Sequence, residues 1–287
     1  MQVIVKPKEI LALVEQARWQ GKLIGFAPTM GSLHEGHLSL MERARTENQL
    51  VVSSLFVNPI QFAPDEDLNK YPRDFERDRQ LAEQAGVDIL FCPPENDFYD
   101  RNHLTYVEVE SLSQKLCGAS RPTHFRGVAT VITKLFNIVK PHNAYFGQKD
   151  AQQFVIIKRL VTDLNFDLNL HMLPVVREAE GLAKSSRNQY LSLTEKRVAL
   201  VLYRSLQTAR ELFESGERQV DTLVNAAKAI IAQEDLARLV YLSATDMIRL
   251  DPVKTIATEP VLLAGAIFVG QTRLIDNIIF NREQYYD

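Results

Sequence analysis

The sequence predicts an α/β domain built on a parallel sheet, followed by a smaller α+β domain, with boundaries at 1–176 and 177–287. Three observations carry this. Up to about Val176, short apolar runs alternate with amphipathic stretches, the pattern of buried parallel strands joined by crossover helices. The segment from Arg177 to Asn188 is polar and poor in apolar residues, as a domain junction is. Beyond it, two helical stretches precede two strand-like runs, the order of an α+β unit. At 287 residues the chain has room for one large or two ordinary domains.

The elements follow in order. Leu23 to Ala27, Leu50 to Val57, Asp88 to Phe91, Ala144 to Phe146 and Leu170 to Val176 read as strands, the second wholly uncharged as a strand buried on both faces should be. Pro7 opens a helix whose apolar positions Ile10, Leu13, Val14 and Ala17 keep the 3.6-residue period. Further helices are expected from near Glu35, from Phe125 to Val139 and from Ala151 to Leu164. In the second domain Thr194 is the expected cap of a long helix through Leu206 toward Phe213, ended by Gly216. Another helix starts near Val220. Leu239 to Leu250 and Val261 to Phe280 read as strands, the latter folded at Gly270-Gln271.

Composition narrows the function. Hydrophobic residues make up 46% and charged residues 24%, which excludes disordered and collagen-like chains. There are 19 cationic against 21 acidic residues before Arg177 and 14 against 15 from there on, so neither half carries the basic footprint of a nucleic-acid binder. Cys92 and Cys117 are too few for a disulfide scaffold and too far apart for a redox pair; they are expected to pack, in a reducing compartment. The apolar run Val3-Ile4-Val5 stops at Lys6, short of a signal peptide, and no run approaches the ~20 residues that span a bilayer. These features together imply a cytoplasmic protein with no membrane partner.

The chemistry concentrates where strands hand over to helices. Pro28-Thr29-Met30-Gly31-Ser32-Leu33-His34-Glu35-Gly36-His37 lies at the end of the first long strand, where ligands bind in open parallel sheets. Gly31 suits a tight turn, Gly36 a close approach to backbone, and the N–H groups of the helix start present positive potential to phosphate. His34 and His37, three residues apart, can face one anion and donate to accumulating negative charge. Taken alone the pair also reads as surface histidines or as two metal ligands, though no third ligand lies nearby. Phe146-Gly147-Gln148-Lys149-Asp150-Ala151-Gln152-Gln153 is a second strand-to-helix passage. In it Lys149 can neutralise phosphate, and Asp150 can cap a helix or accept from a ribose hydroxyl. Gln153 can bond substrate, while Gln152 is expected in solvent. Lys184-Ser185-Ser186-Arg187-Asn188, in the junction, offers hydroxyls and a guanidinium fork for a triphosphate or a plain solvated loop. Asn58 and Gln61, after the second strand, either face the same crevice or form a polar turn.

Together these segments resemble the pantothenate synthetases, the pantoate:beta-alanine ligase family of the nucleotidyltransferase superfamily with its HIGH-type and KMSKS-type motifs. The marks are Pro28-Thr29-Met30-Gly31 with His34-Glu35-Gly36-His37, Phe56-Val57-Asn58-Pro59 with Gln61-Phe62, and Tyr71-Pro72-Arg73. They continue with His124-Phe125-Arg126-Gly127-Val128, Gly147-Gln148-Lys149-Asp150 with Gln152-Gln153, and Ser185-Ser186-Arg187-Asn188 with Tyr190-Leu191.

The resemblance implies a homodimer whose first domain is Rossmann-like and binds ATP and pantoate, and whose smaller α+β second domain closes over ATP. It implies ATP contacts at Met30, Gly31, Ser32, Leu33, His34, Glu35, Gly36 and His37, at Gly147, Gln148, Lys149 and Asp150, and at Val176, Lys184, Ser185, Ser186 and Arg187. Gln61 and Gln153 would hold pantoate, with Gln61 also near beta-alanine. His34, His37, Lys149, Ser186 and Arg187 would be catalytic, with Mg2+ on the pyrophosphate. Asp78 is the acidic residue of its stretch considered for the metal, and no metal ligand is assigned. Glu180 and Lys184 depart from the aspartate and methionine common in the family. The implied reaction joins pantoate to beta-alanine through pantoyl adenylate, releasing AMP and pyrophosphate. The alternatives are a related adenylating enzyme for another acid, a synthetase-like RNA binder and a nucleotide sensor without turnover.

Overall fold

The computed structural model describes residues 1–64 and 66–282. They form two units: one comprises Met1–Gln114, Gly118–Gly147 and Ile156–Leu173, the other Lys115–Cys117, Gln148–Val155 and the described chain from Pro174 onward.

The first unit is built on a six-stranded parallel sheet. Its strands are β1 (Gln2–Ile4), β2 (Ile24–Thr29), β3 (Leu50–Leu55), β4 (Ile89–Phe91), β5 (Asn143–Gly147) and β6 (Asn169–Leu173), in the order β1-β4-β3-β2-β5-β6. The chain runs outward from β2 through β3 to β4 and then returns to the other side of β2 with β5, so β2 and β5 flank the topological switch point. Helices α1 (Pro7–Trp19), α2 (Glu35–Glu47) and α3 (Phe75–Gln84) precede two short ones, α4 (Glu95–Phe98) and α5 (Cys117–Ser120), and the long α6 (His124–Val139). Helix α1 packs with α6, and α2 with α3. Ala27, Leu40, Met41, Val51 and Leu90 share one core, and Phe26 and Phe136 meet edge to face with centroids 6.4 Å apart. The strand β1 was not anticipated, because three residues are too few to display a period of two. Strand β6 stops at Leu173, three residues before its expected end, because Pro174 has no N–H to donate to the ladder.

Helix α7 (Ala151–Asp163) belongs partly to each unit. In the second unit, helices α8 (Leu193–Glu214) and α9 (Val220–Ile231) lie against a three-stranded antiparallel sheet, β7 (Ala237–Asp246), β8 (Val261–Val269) and β9 (Thr272–Phe280), in that spatial order. Leu202, Leu206, Leu223, Leu263, Ile267 and Ile278 form its core. The hairpin between β8 and β9 turns at Gly270-Gln271 as expected, with Gly270 at φ 55°. Strand β7 ends at Asp246, short of Leu250, because the Asp246 carboxylate accepts from the N–H groups of Ile248, Arg249 and Asp251 and folds the chain back. The cap of α8 is Ser192 rather than Thr194. Ser192 Oγ accepts from the Glu195 N–H at 3.2 Å, and the Glu195 carboxylate accepts from the Ser192 N–H at 2.8 Å, a reciprocal capping box.

Ser192→Ala is therefore expected to lower the unfolding free energy by about 1 kcal/mol in a denaturant titration. Thr194→Ala should stay within about 0.5 kcal/mol of the parent. The reverse order would return the cap to Thr194.

Candidate active site

The passage from β2 to α2 is folded around its own backbone donors. Gly31 and Ser32 take positive φ values of 84° and 51°, a tight left-handed turn that directs the next two N–H groups inward. Both meet Asp78, on α3: its carboxylate accepts from the Ser32 N–H and the Leu33 N–H, each at 2.7 Å. Asp78 is 2% exposed. Burial pushes its carboxyl above the ordinary value, and the donors from Leu33 and Ser32 pull against that rise. Arg77 Nη1 donates to the Leu33 carbonyl at 3.1 Å, so both sides of that peptide are held.

His34 then serves as the N-cap of α2. Its Nδ1 accepts from the Gly36 N–H at 3.2 Å, and His37 Nδ1 accepts from the His34 N–H at 3.4 Å. The rings lie 4.0 Å apart, centroid to centroid. A nitrogen that accepts from an N–H carries no proton, so each neutral ring is the Nε2–H tautomer. The helix start thus spends its Gly36 N–H on His34, and each neutral imidazole keeps its proton at Nε2.

Gln61 sits close by in the same unit, on a short 3-10 turn over Pro59–Gln61, and is buried. Asn58 Nδ2 donates to Gln61 Oε1 at 2.9 Å and to the Gly127 carbonyl at 3.1 Å. Tyr99 Oη donates to Asn58 Oδ1 at 2.9 Å, and burial pushes the Tyr99 phenol up, keeping its proton in place. Gln61 Nε2 donates to Met30 Sδ at 2.9 Å, which ties Gln61 to the β2–α2 loop. His124 Nδ1 lies 3.0 Å from the Gln61 carbonyl oxygen. Asn58 and Gln61 are therefore a built cluster rather than a polar turn.

Gly147 ends β5, beside β2 in the sheet, and the chain continues into a 3-10 turn over Gln148–Asp150 in the second unit. There Lys149 Nζ donates to Ser185 Oγ at 3.5 Å, and Ser185 Oγ also accepts from the Arg187 N–H at 3.3 Å. The segment from Val176 to Lys184 is a hairpin rather than an open loop. The Lys184 N–H donates to the Val176 carbonyl at 2.9 Å, the Glu178 N–H to Leu182 at 2.8 Å, and Gly181 turns at φ 105°. Ser186 and Asn188 are buried, and Asn188 Nδ2 donates to Glu178 Oε1 at 3.0 Å. Glu180 is exposed at the hairpin tip, and Lys184 is half-buried.

Met30 thus meets Gln61 in the first unit, which also holds Gly31 through His37, whereas Lys149, Val176, Lys184, Ser185, Ser186 and Arg187 lie in the second. Gln153, half-buried on α7, and Asp150 also belong to the second unit, with no bond to that cluster described. Gln152 is not in solvent: it is 6% exposed, its Nε2 donates to the Lys115 carbonyl at 2.7 Å, and its Oε1 accepts from the Cys117 N–H at 2.9 Å. Among the described residues no three His, Cys, Asp or Glu side chains cluster as a metal site, and both oxygens of Asp78 are spent on backbone. Asp276, Asn277 and Arg177 went unremarked in the sequence, although two polar residues inside an apolar strand were a visible signal.

The glycine of the His124-to-Val128 motif has a steric reason. A Cβ on Gly127 would lie 2.5 Å from the Ile60 carbonyl oxygen and 2.6 Å from Gln61 Cα, backbone atoms that cannot swing aside. Gly127→Ala is expected to cost about 1–3 kcal/mol of stability as it forces α6 off the Gln61 turn. Gly147→Ala, whose Cβ would meet nothing within 4 Å, should stay within about 0.5 kcal/mol. Equal stabilities in urea titration would contradict the contact.

Comparison with known proteins gives one answer. The family model described as pantoate-beta-alanine ligase matches residues 2–279. The pantothenate synthetase of Pelotomaculum thermopropionicum is 54% identical, covering 96% of this chain and 97% of its own. The crystal structure of pantothenate synthetase from Thermus thermophilus superposes with a TM-score of 0.91 at 43% identity, covering 97% of this chain and 99% of that one. The pantoate-beta-alanine ligase of Francisella tularensis, complexed with beta-gamma ATP and beta-alanine, gives 0.79 at 34% identity and covers 97% of both chains. A match across nearly the whole chain, on the fold as well as the sequence, places it in the pantoate-beta-alanine ligase family.

Proposed function

We propose that the chain is the ligase its family is named for, joining pantoate to beta-alanine at the expense of ATP. The observation that carries this is the locked histidine pair, two Nε2–H donors at the carboxyl end of β2 beside the switch point, where phosphate chemistry is expected. In the first step a pantoate carboxylate oxygen attacks the α-phosphorus of ATP; the bond to the bridging oxygen breaks and pyrophosphate leaves, giving pantoyl adenylate. In the second, the beta-alanine amine attacks the acyl carbon and AMP leaves. Such a reaction needs no protein nucleophile; it needs positioning and stabilised charge.

The residues divide accordingly. His37 donates to the oxygen that gains charge as pyrophosphate departs, with His34 beside it. Lys149, Ser186 and Arg187 supply cationic and hydroxyl donors to the phosphates. Met30 to Glu35, Gly36, Gly147, Gln148, Asp150, Val176, Lys184 and Ser185 line the nucleotide. Gln61 and Gln153 hold pantoate. Gln61 Nε2 rests on a thioether sulfur, a weak acceptor, so passing that donor to a substrate oxygen forfeits little. Magnesium bound with ATP would neutralise charge on its phosphates, and no residue of this chain is assigned to it. No described helix is long and apolar enough to cross a membrane. A homodimer and a cytoplasmic location complete the proposal, on the strength of the resemblance.

The test is pantoate-dependent exchange of labelled pyrophosphate into ATP without beta-alanine, with AMP formed once beta-alanine is added. Release of ADP and phosphate would replace the adenylate with an acyl phosphate. His37→Ala should slow adenylation about a hundredfold or more with the fold intact, the scale of losing one preorganised donor. Lys184 meets Val176 through its backbone, so Lys184→Met should keep adenylation within about tenfold, and Arg187→Ala should lose considerably more. The opposite ranking would move the phosphate charge to Lys184.

A further inference from the structure

After Thr272 and Arg273 at its start, strand β9 is apolar except at Asp276 and Asn277, which are 4% and 3% exposed. Buried polar groups are costly unless fully bonded, and valine or isoleucine would suit the strand better. Both residues are bonded, and to opposite sides, as neighbours on a strand must be. Asp276 accepts from Arg177 Nη1 at 2.6 Å and Nη2 at 3.0 Å. Arg177 Nη1 also donates to the Gly181 carbonyl at 3.0 Å, and the guanidinium covers the Tyr203 ring at 4.5 Å. This pair secures the hairpin that carries Val176 and Lys184.

Asn277 faces the other way. Its Nδ2 donates to the Gln148 carbonyl at 2.9 Å and the Lys149 carbonyl at 3.0 Å, and its Oδ1 accepts from Gln148 Nε2 at 3.1 Å. Both amide hydrogens and the amide oxygen are engaged. At this reach only an asparagine supplies two donors and an acceptor together, since aspartate has no donor and glutamine is a methylene longer. The peptide that is clamped is the one bearing Lys149, whose Nζ reaches Ser185.

We propose that Asn277 is a positioning residue for adenylation: by fixing the Gln148 and Lys149 carbonyls it sets where the Lys149 ammonium stands. The proposal rests on the assignment of Lys149 to the phosphates made above. Small displacements of a charged donor have large effects on rate, because the geometry must match the developing charge.

The test is a double-mutant cycle in the full chain, read as single-turnover pantoyl adenylate formation at saturating ATP, with circular dichroism and thermal unfolding on each variant. Asn277→Ala is expected to slow adenylation about tenfold or more. In a Lys149→Ala background the same change should cost less than about threefold, because the group it positions is gone. Asn277→Asp keeps the volume and the acceptor but sets an oxygen against two carbonyls; it should behave like Asn277→Ala and carries the cycle if the alanine variant fails to fold. Full, multiplicative losses in both backgrounds would make Asn277 a fold residue only and overturn the proposal, as would normal adenylation by both Asn277 variants. Normal adenylation by Lys149→Ala is a separate result: it would remove the Lys149 assignment itself, and the positioning role with it.

Discussion

The Asp78 carboxylate is the point on which the passage from β2 to α2 turns. A sheet strand that must become a helix within a few residues leaves several N–H groups without partners. Here Gly31 and Ser32 turn the chain through left-handed backbone, and Ser32 does so without the freedom of glycine. Two charge-assisted bonds from one buried carboxylate offset that strain and fix the next two peptides. His34 follows directly, so the cap of α2, the pairing of the two rings and the approach of Met30 to Gln61 all inherit their places from this grip. It also explains why the acidic residue nearest the motif offers a metal little: its oxygens are in use.

The two units differ in the polar groups that their motifs hold. The first has the imidazoles of His34 and His37, bonded to backbone at Nδ1, which leaves the proton of each neutral ring at Nε2. The second has the cations Lys149 and Arg187, joined through Ser185 Oγ. In the reaction proposed above, neutral donors with fixed directions would stabilise charge as it develops, and cations would attract the nucleotide at longer range.

Much of this was legible in the sequence because it is local. The handover at Glu35, the strand ends bearing the motifs and the β8–β9 hairpin all follow from period and turn chemistry within ten residues. What escaped is long-range. Asp78 reaches its partners across 45 and 46 residues, so nothing local in the sequence marks it as a backbone clamp. Gln152 looked solvent-facing because its partners, Lys115 and Cys117, lie 37 and 35 residues away on a separate turn. Asn277 is 128 and 129 residues from the carbonyls it holds, and its only local signal is a polar side chain among the apolar residues of β9. Ser192 and Glu195, three residues apart, spell the capping box that sets the start of α8 in place of Thr194.

The protonation of two rings decides how the helix start is built. Nitrogen-15 NMR of the ring nitrogens of His34 and His37, at a pH where both are neutral, reads the tautomer without reference to activity. The structure requires Nε2 to carry the proton and Nδ1 to be bare in both rings, with the Gly36 N–H resonance showing its bond to His34. A protonated Nδ1 on either ring would mean that the backbone does not hold that imidazole, and that the donor assigned to the departing pyrophosphate does not face outward in the free protein.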